Sequence, residues 1–206
     1  MNRRDFVVGG TGAMAALGVA GIAAAGAPNV DPFRSVRGWP YKVIVDERFQ
    51  ESRAFGRAAA RLGCAVHAIS GDVTGLWFNE LHALWARGAG DIVGMTTGAS
   101  LMCLEQLAWN QWMRVVARVD HRAAPDGTVR HRLFLRSSAL QDAQASLAKP
   151  GRWPEQLAAT LIAGLGSNHD GRPMERVTVT GQCSHELSRM SLTSWVIAAR
   201  SQATPT

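Results

Sequence analysis

A run of hydroxyl-bearing and small residues at positions 94–100 is the part of this sequence best suited to chemistry. It reads Gly-Met-Thr-Thr-Gly-Ala-Ser and lies between a stretch typical of a buried strand and one typical of an amphipathic helix. Hydroxyl groups and backbone N–H donors at a helix N-terminus favour an anion. Thr96, Thr97, Gly98 and Ser100 are therefore predicted to bind a ligand. The alternative is that Thr97 or Ser100 simply caps the helix.

The same run has the spacing of a nucleophile elbow, in which a nucleophile lies between two glycines at a strand-to-helix turn. Thr96 holds the nucleophile position, and Ser100 is a second candidate hydroxyl. A hydrolase also needs a base, and His169 and His185 follow later in the chain. Threonine is unusual as an elbow nucleophile, and the sequence has no recognisable oxyanion loop. A hydrolase built on Thr96 or Ser100 is the alternative function.

Two other predicted strands also end in polar residues. Asp46 closes the first strand, and Asp72 follows the second. Ligands of open parallel sheets bind outside the carboxyl ends of the strands, which adds both aspartates to the predicted ligand-binding set. The sequence contains neither the glycine fingerprint of a Rossmann domain nor a P-loop, which disfavours dinucleotides and Walker-type nucleotide sites. The identity of any cofactor stays unknown.

Two histidines are predicted to meet on the buried face of a hairpin. Residues 115–122 and 128–136 alternate between apolar and polar side chains, and Pro-Asp-Gly between them is a turn signal. Pairing their apolar faces fixes a register in which His121 and His131 are neighbours. A paired-His ligand and two buried, hydrogen-bonded histidines both fit this pattern.

The other residues of metal-binding type form no recognisable site. Cys183, His185 and Glu186 are close in sequence, but their spacing matches no standard zinc pattern, and loop polarity explains them as well. Cys64 and Cys103 lie in apolar stretches and are predicted to be small core residues, whereas one disulfide and one free thiol among the three cysteines is the alternative. No metal site is predicted.

The opposite face of the hairpin is strongly basic. Its charged members are Arg118, Arg122, Arg130, Arg132 and Arg136, with Asp120 among them. Arg118, Arg130 and Arg132 are the predicted contacts for a phosphate, a carboxylate or an acidic protein partner. A solvated edge kept soluble by charge explains the same pattern. The net charge of +6 favours acidic partners, but the chain has no basic-aromatic module and nucleic acid is not predicted.

The order of the predicted elements favours an α/β fold. Three strand–helix units follow one another, and this predicts a parallel sheet covered on both faces. Their strands are at 41–46, 64–69 and 91–95. After the hairpin come two helices and two further strands, at 176–180 and 192–199, of which the last is predicted to be central. We expect one three-layer α/β domain over residues 41–200, with a largely parallel central sheet plus an antiparallel hairpin.

Residues 1–25 have the features of an export signal rather than of a fold element. Arg3 and Arg4 precede Phe6 and a long uncharged run rich in Gly and Ala. This segment resembles the twin-arginine translocation (Tat) signal peptide. The resemblance implies recognition by the Tat translocase, export of the folded protein to the periplasm and cleavage after Ala25. An uncleaved membrane anchor is the alternative, because the run is about 20 residues long.

The remaining composition bounds the function. Residues 26–40 and 201–206, rich in Pro, Gly, Ser and Thr, are predicted to be a loose leader and tail. Apolar residues make up 47% of the chain, which excludes disorder as its general state. The tryptophans, including Trp77, Trp85, Trp109 and Trp112, are predicted to be core, and an aromatic pocket lined by them is the alternative. The favoured function is a periplasmic binding or accessory protein, with a small anionic ligand at the strand ends and a partner on the arginines.

Overall fold

Seven strands of the chain pair into one mixed sheet, and helices cover both of its faces. The computed structural model describes residues 38–88, 90–149, 151–167, 173–182 and 191–199. The strands are β1 (Lys42–Asp46), β2 (Val66–Ile69), β3 (Ile92–Thr97), β4 (Met113–Ala123), β5 (Thr128–Arg136), β6 (Met174–Gln182) and β7 (Leu192–Ala199). The predicted signal peptide, most of the leader, the tail, Cys183, His169, His185 and Glu186 lie outside the described residues.

The described ranges contain six α-helices. They are α1 (Gln50–Arg61), α2 (Thr74–Leu76), α3 (His82–Trp85), α4 (Gly98–Trp109), α5 (Ser137–Leu147) and α6 (Trp153–Ala163). A π-helical turn, Trp77–Leu81, joins α2 to α3, and a 3₁₀ turn, Gly164–Ser167, follows α6. No helix within the described ranges is long and apolar enough to span a membrane.

The strand order is β2-β1-β3-β7-β4-β5-β6, and the α/β class is confirmed. The pairs of β1 with β2 and with β3 are parallel, whereas the four remaining pairs are antiparallel. β7 lies between β3 and β4 and is buried along nearly its whole length, so the prediction of a central last strand is confirmed. The chain leaves β1 towards β2 and then crosses to β3 on the other side. The carboxyl ends of β1 and β3 therefore form a topological switch point, where ligands of open sheets bind.

Two apolar clusters hold the three layers together. α1, α5 and α6 pack on one face, where Phe55 and Leu157 are completely buried. The π turn, α3 and α4 pack on the other face, around Leu81, Leu104 and Trp195. The helices on each face bury apolar side chains of the sheet away from water. This burial is the dominant contribution to the stability of the three layers.

Several predictions of burial are wrong. β2 is the outer strand, and its Val66 is exposed rather than buried on both faces. Cys64 is buried as predicted, but Cys103 is exposed on α4. Trp109, the last residue of α4, and Trp112, in the turn after it, are 60% and 73% exposed, so the prediction that they are core residues is wrong.

Candidate functional site

Asp46 ends β1 at the switch point and holds an arginine there. Its carboxylate is completely buried and accepts two hydrogen bonds from the Arg48 guanidinium, Nε to Oδ1 at 2.9 Å and Nη2 to Oδ2 at 2.7 Å. These hydrogen bonds raise the pKa of Arg48. The guanidinium lies where a side chain at Gly71 would stand, with its carbon 2.7 Å from that Cβ position. Asp46 thus orients Arg48, and a ligand would meet the arginine rather than the aspartate.

Thr97 and Ser100 tie the start of α4 to the loop after β2. The Thr97 hydroxyl accepts the Ser100 backbone N–H at 3.2 Å, and the Ser100 hydroxyl donates to the Gly71 carbonyl at 2.8 Å. The two hydroxyl oxygens are 3.0 Å apart, and both side chains are buried. The capping interpretation of Thr97 is confirmed, since its oxygen satisfies a first-turn donor. These hydroxyls are occupied within the protein.

Thr96 lies inside β3 rather than on an exposed turn. It is completely buried, and its hydroxyl accepts the Trp195 indole N–H at 3.0 Å and donates to the Thr97 carbonyl at 3.1 Å. Among the described histidines, none is hydrogen-bonded to Thr96 or Ser100. An elbow nucleophile must be accessible and next to a base. This geometry gives the hydrolase alternative no support.

The first glycine of that elbow-like run has a packing role instead. A Cβ at Gly94 would stand 2.8 Å from the Ile44 carbonyl oxygen and would overlap the Trp195 ring. Gly94 therefore lets the indole lie flat against the sheet. The Gly-x-Thr-x-Gly spacing arises from this packing and from the start of α4.

The predicted residue Asp72 serves the local turn. Its carboxylate accepts the Thr74 backbone N–H at 2.8 Å, and this hydrogen bond lowers the pKa of Asp72. The interaction starts the helical segment that leads to β3. Asp72 is exposed, and its described hydrogen bond is made within its own turn.

A cleft of about 310 Å³ beside the N-terminus of α4 joins two regions that the sequence suggested separately. Its lining residues are Gly98, Met102, Glu105, Arg118, Asp120, Arg122, Ser191 and Thr193. Asp120 accepts hydrogen bonds from Arg118 Nε at 2.8 Å and from the Thr193 hydroxyl at 3.1 Å. Arg118 is thereby fixed through one nitrogen of its fork. The start of α4 and the arginines of β4, Arg118 and Arg122, therefore line the same cleft.

The cleft continues onto a basic sheet face formed by β4 and β5. In the register of this pair, Arg132 is opposite Asp120 and Arg130 is opposite Arg122. Arg130 and Arg132 are exposed to solvent. Like charges directly opposite each other destabilise a sheet, so the Arg122–Arg130 pair favours an anionic counterpart from outside.

The predicted histidine pair is present and is buried. His121 and His131 lie opposite each other in the register, with Nδ1 atoms 2.7 Å apart. The Trp153 ring packs against both imidazoles, at centroid distances of 4.5 and 4.8 Å. Burial lowers the pKa of His131 to about 4, and burial together with the neighbouring His131 lowers that of His121 well below its usual value. Both rings are therefore neutral near pH 7.

Ser194 completes this cluster and was missed by sequence reasoning. Its hydroxyl is 2.8 Å from Nε2 of His121, and it is completely buried. A serine hydroxyl, an imidazole and a third polar group, here Ser194, His121 and His131, also follow one another in activated serine nucleophiles. Ser194 is completely buried, however, so no substrate reaches it in this structure. In the described part of the chain, no group of three metal-binding side chains forms. The signal in the sequence was a serine alternating with Leu192 and Val196 in a strand that is apolar except for Thr193 and Ser194.

Comparison of the chain with protein-family models, with curated proteins and with solved structures found no match.

Proposed function

We propose that this protein is an exported binding protein that holds a small anionic ligand in the cleft beside α4. The observation that carries the proposal is Arg118, which Asp120 holds at the cleft next to the start of a twelve-residue helix. An arginine fixed through Nε still has terminal N–H donors for a carboxylate or phosphate. The helix start adds backbone N–H groups and the positive end of the helix dipole.

The acidic residues of the cleft limit the ligand to modest charge. Arg118 and Arg122 are balanced there by Glu105 and Asp120. A densely charged polyphosphate would meet both carboxylates at short range, and such repulsion selects against it. A small organic acid places one carboxylate at the arginines and leaves its remainder against Met102. We therefore propose a small carboxylate as the ligand class.

The second part of the proposal concerns an accessory role. Arg130 and Arg132 extend the positive charge from the cleft across the exposed sheet face. Arg122 lies directly opposite Arg130 on the neighbouring strand, so two positive charges face each other there. An acidic protein surface would relieve this repulsion and provide geometry that arginine forks recognise. Export through the Tat translocase to the periplasm belongs to the same proposal, and it is supported by Arg3 and Arg4 ahead of the uncharged run.

Isothermal titration with succinate, acetate and inorganic phosphate tests the ligand proposal. We expect succinate or acetate to bind, and Arg118→Gln to weaken binding at least tenfold because a charge-assisted pair is lost. Arg61→Gln is the matched control, since it removes one exposed charge from the last turn of α1. Equal losses in both variants would show nonspecific charge attraction. Absence of binding by all three probes would refute the small-anion proposal.

Export is tested separately by mass spectrometry of protein recovered from the periplasm. The expected polypeptide begins at residue 26, and replacing Arg3 and Arg4 by lysine is expected to leave the protein in the cytoplasm. Export of the twin-lysine variant at the normal level would contradict the Tat assignment, whatever the binding data show.

A further inference from the structure

Three exposed tryptophans lie near the end of the sheet at which β1, β3 and β4 begin. Trp39, Trp109 and Trp112 are 39%, 60% and 73% exposed. Trp39 lies two residues before Tyr41, whose N–H donates to the Asp91 carbonyl just ahead of β3. Trp112 immediately precedes β4, whose first residue pairs with the last residue of β7. The starts of β1, β3 and β4 therefore lie at the same end of the sheet, with the end of β7 between β3 and β4. We call these three side chains the tryptophan edge.

The turn that carries Trp112 is held in an unfavourable conformation. Trp112 has φ of 58°, in the left-handed region that a bulky residue rarely adopts. Arg114 fixes this turn, because its Nη1 donates to the carbonyls of Trp109 at 3.1 Å and Met113 at 2.8 Å. Its guanidinium also lies 3.8 Å from the centre of the Trp109 ring. Backbone strain that exposes an aromatic ring, rather than burying it, is typical of a binding surface.

The tryptophan edge is also where the N-terminal part of the chain joins the domain. Only residues 26–37 separate the described domain, which begins at Gly38, from the predicted cleavage point after Ala25. Twelve extended residues span about 40 Å. The predicted signal segment is therefore close in sequence to the part of the chain that leads into the tryptophan edge, and any contact with lipid depends on the side chains of the edge itself.

We infer that the tryptophan edge binds the surface of a lipid bilayer that contains anionic headgroups. Tryptophan rings are favoured at the boundary between headgroups and acyl chains because one side of the ring is apolar and its N–H is polar. Arg114, stacked on Trp109, adds a positive charge at the same place, and the net charge of +6 is attracted to anionic lipid. The edge is thus a surface for lipid headgroups, separate from the cleft beside α4.

Vesicle sedimentation tests this inference with the protein as recovered from the periplasm. The vesicles contain equal amounts of phosphatidylcholine and phosphatidylglycerol, with phosphatidylcholine alone as the comparison. We expect binding to the mixed vesicles and a blue shift of tryptophan fluorescence. Trp109→Ala combined with Trp112→Ala is expected to lower the partition coefficient by roughly tenfold or more, since each large ring leaves the interface.

Phe78→Ala is the matched control, because Phe78 is 74% exposed on the π turn and is not part of the tryptophan edge. An equal loss of binding in this variant would overturn the inference by showing general hydrophobic adsorption. Failure of the unaltered protein to bind either vesicle would overturn it as well. So would a stable dimer in sedimentation velocity that the double tryptophan variant abolishes, since the occupant would then be a second copy of the chain.

Discussion

His121 and His131 face each other across β4 and β5, with their Nδ1 atoms 2.7 Å apart in a buried site. One Nδ1 must carry a proton and the other must accept it, so protonation of both imidazoles would break this hydrogen bond, and burial disfavours the charged form of either ring. Ser194 extends the chain of hydrogen bonds at Nε2 of His121. Within the described residues, Nε2 of His131 has no hydrogen-bond partner. The cluster is therefore sensitive both to protonation and to loss of any member.

Acidification is expected to destabilise the fold through this pair. In the folded protein the pKa of His131 is about 4 and that of His121 is well below 6.5. In the unfolded chain both side chains have the ordinary histidine pKa of about 6.5. As pH falls below 6.5, the unfolded state takes up protons that the folded state excludes, so the free energy of unfolding falls. Between pH 7 and pH 5 the loss is about 2 kcal/mol from His131, with a further loss from His121. Urea denaturation at both pH values measures it.

The control for this experiment replaces both histidines by phenylalanine. The double variant is expected to lose the extra decrease between pH 7 and pH 5, while His82→Gln, at an exposed position, keeps it. A decrease of the same size in the double variant would assign the effect to other groups.

Ser194→Ala is expected to lower the free energy of unfolding by about 1–3 kcal/mol. The substitution leaves the buried Nε2 of His121 without its hydrogen-bond partner, and an unsatisfied buried polar atom costs about that much. Ser191→Ala, at an exposed position three residues earlier, is expected to change stability by less than about 0.5 kcal/mol. Chemical denaturation at pH 7 compares the two, and equal stabilities would contradict the role assigned to Ser194.

Gly94→Ala is expected to destabilise the protein far more than Gly98→Ala. A Cβ at Gly94 overlaps the Trp195 ring and the Ile44 carbonyl, so the sheet must shift at a cost of about 1–3 kcal/mol. At Gly98 the nearest atom to a Cβ is the Thr193 hydroxyl oxygen, at 3.8 Å. Thermal unfolding of the two variants checks the order. The reverse order would restore a special backbone role for Gly98 at the turn.

Thr97→Ala is expected to cost about 1 kcal/mol of stability, because the Ser100 N–H loses the oxygen that caps α4. Thr97→Ser keeps a hydroxyl at the same position and is expected to recover most of the loss. If serine is no better than alanine in denaturant unfolding, the hydroxyl does not stabilise the helix start.

Local patterns in the sequence predict the elements and their chemical character. Apolar runs predicted β1, β3 and β7, and the Pro-Asp-Gly turn with alternating flanks predicted the hairpin register that brings His121 to His131. These signals are local, because side-chain periodicity and turn residues act within a few positions of the chain. The α/β class follows from them.

Contacts between residues far apart in the sequence arise from the strand order of the folded sheet. β7 lies between β3 and β4. Trp195 is therefore hydrogen-bonded to Thr96, 99 residues away in sequence. Ser194 is hydrogen-bonded to His121, 73 residues away. The same insertion brings Thr193 to Asp120 and thereby places Arg118 at the cleft beside α4. Such pairings depend on strand order, which periodicity does not encode. The sequence therefore indicated which residues could bind or react. Packing determined which of them are buried and which line an accessible cleft.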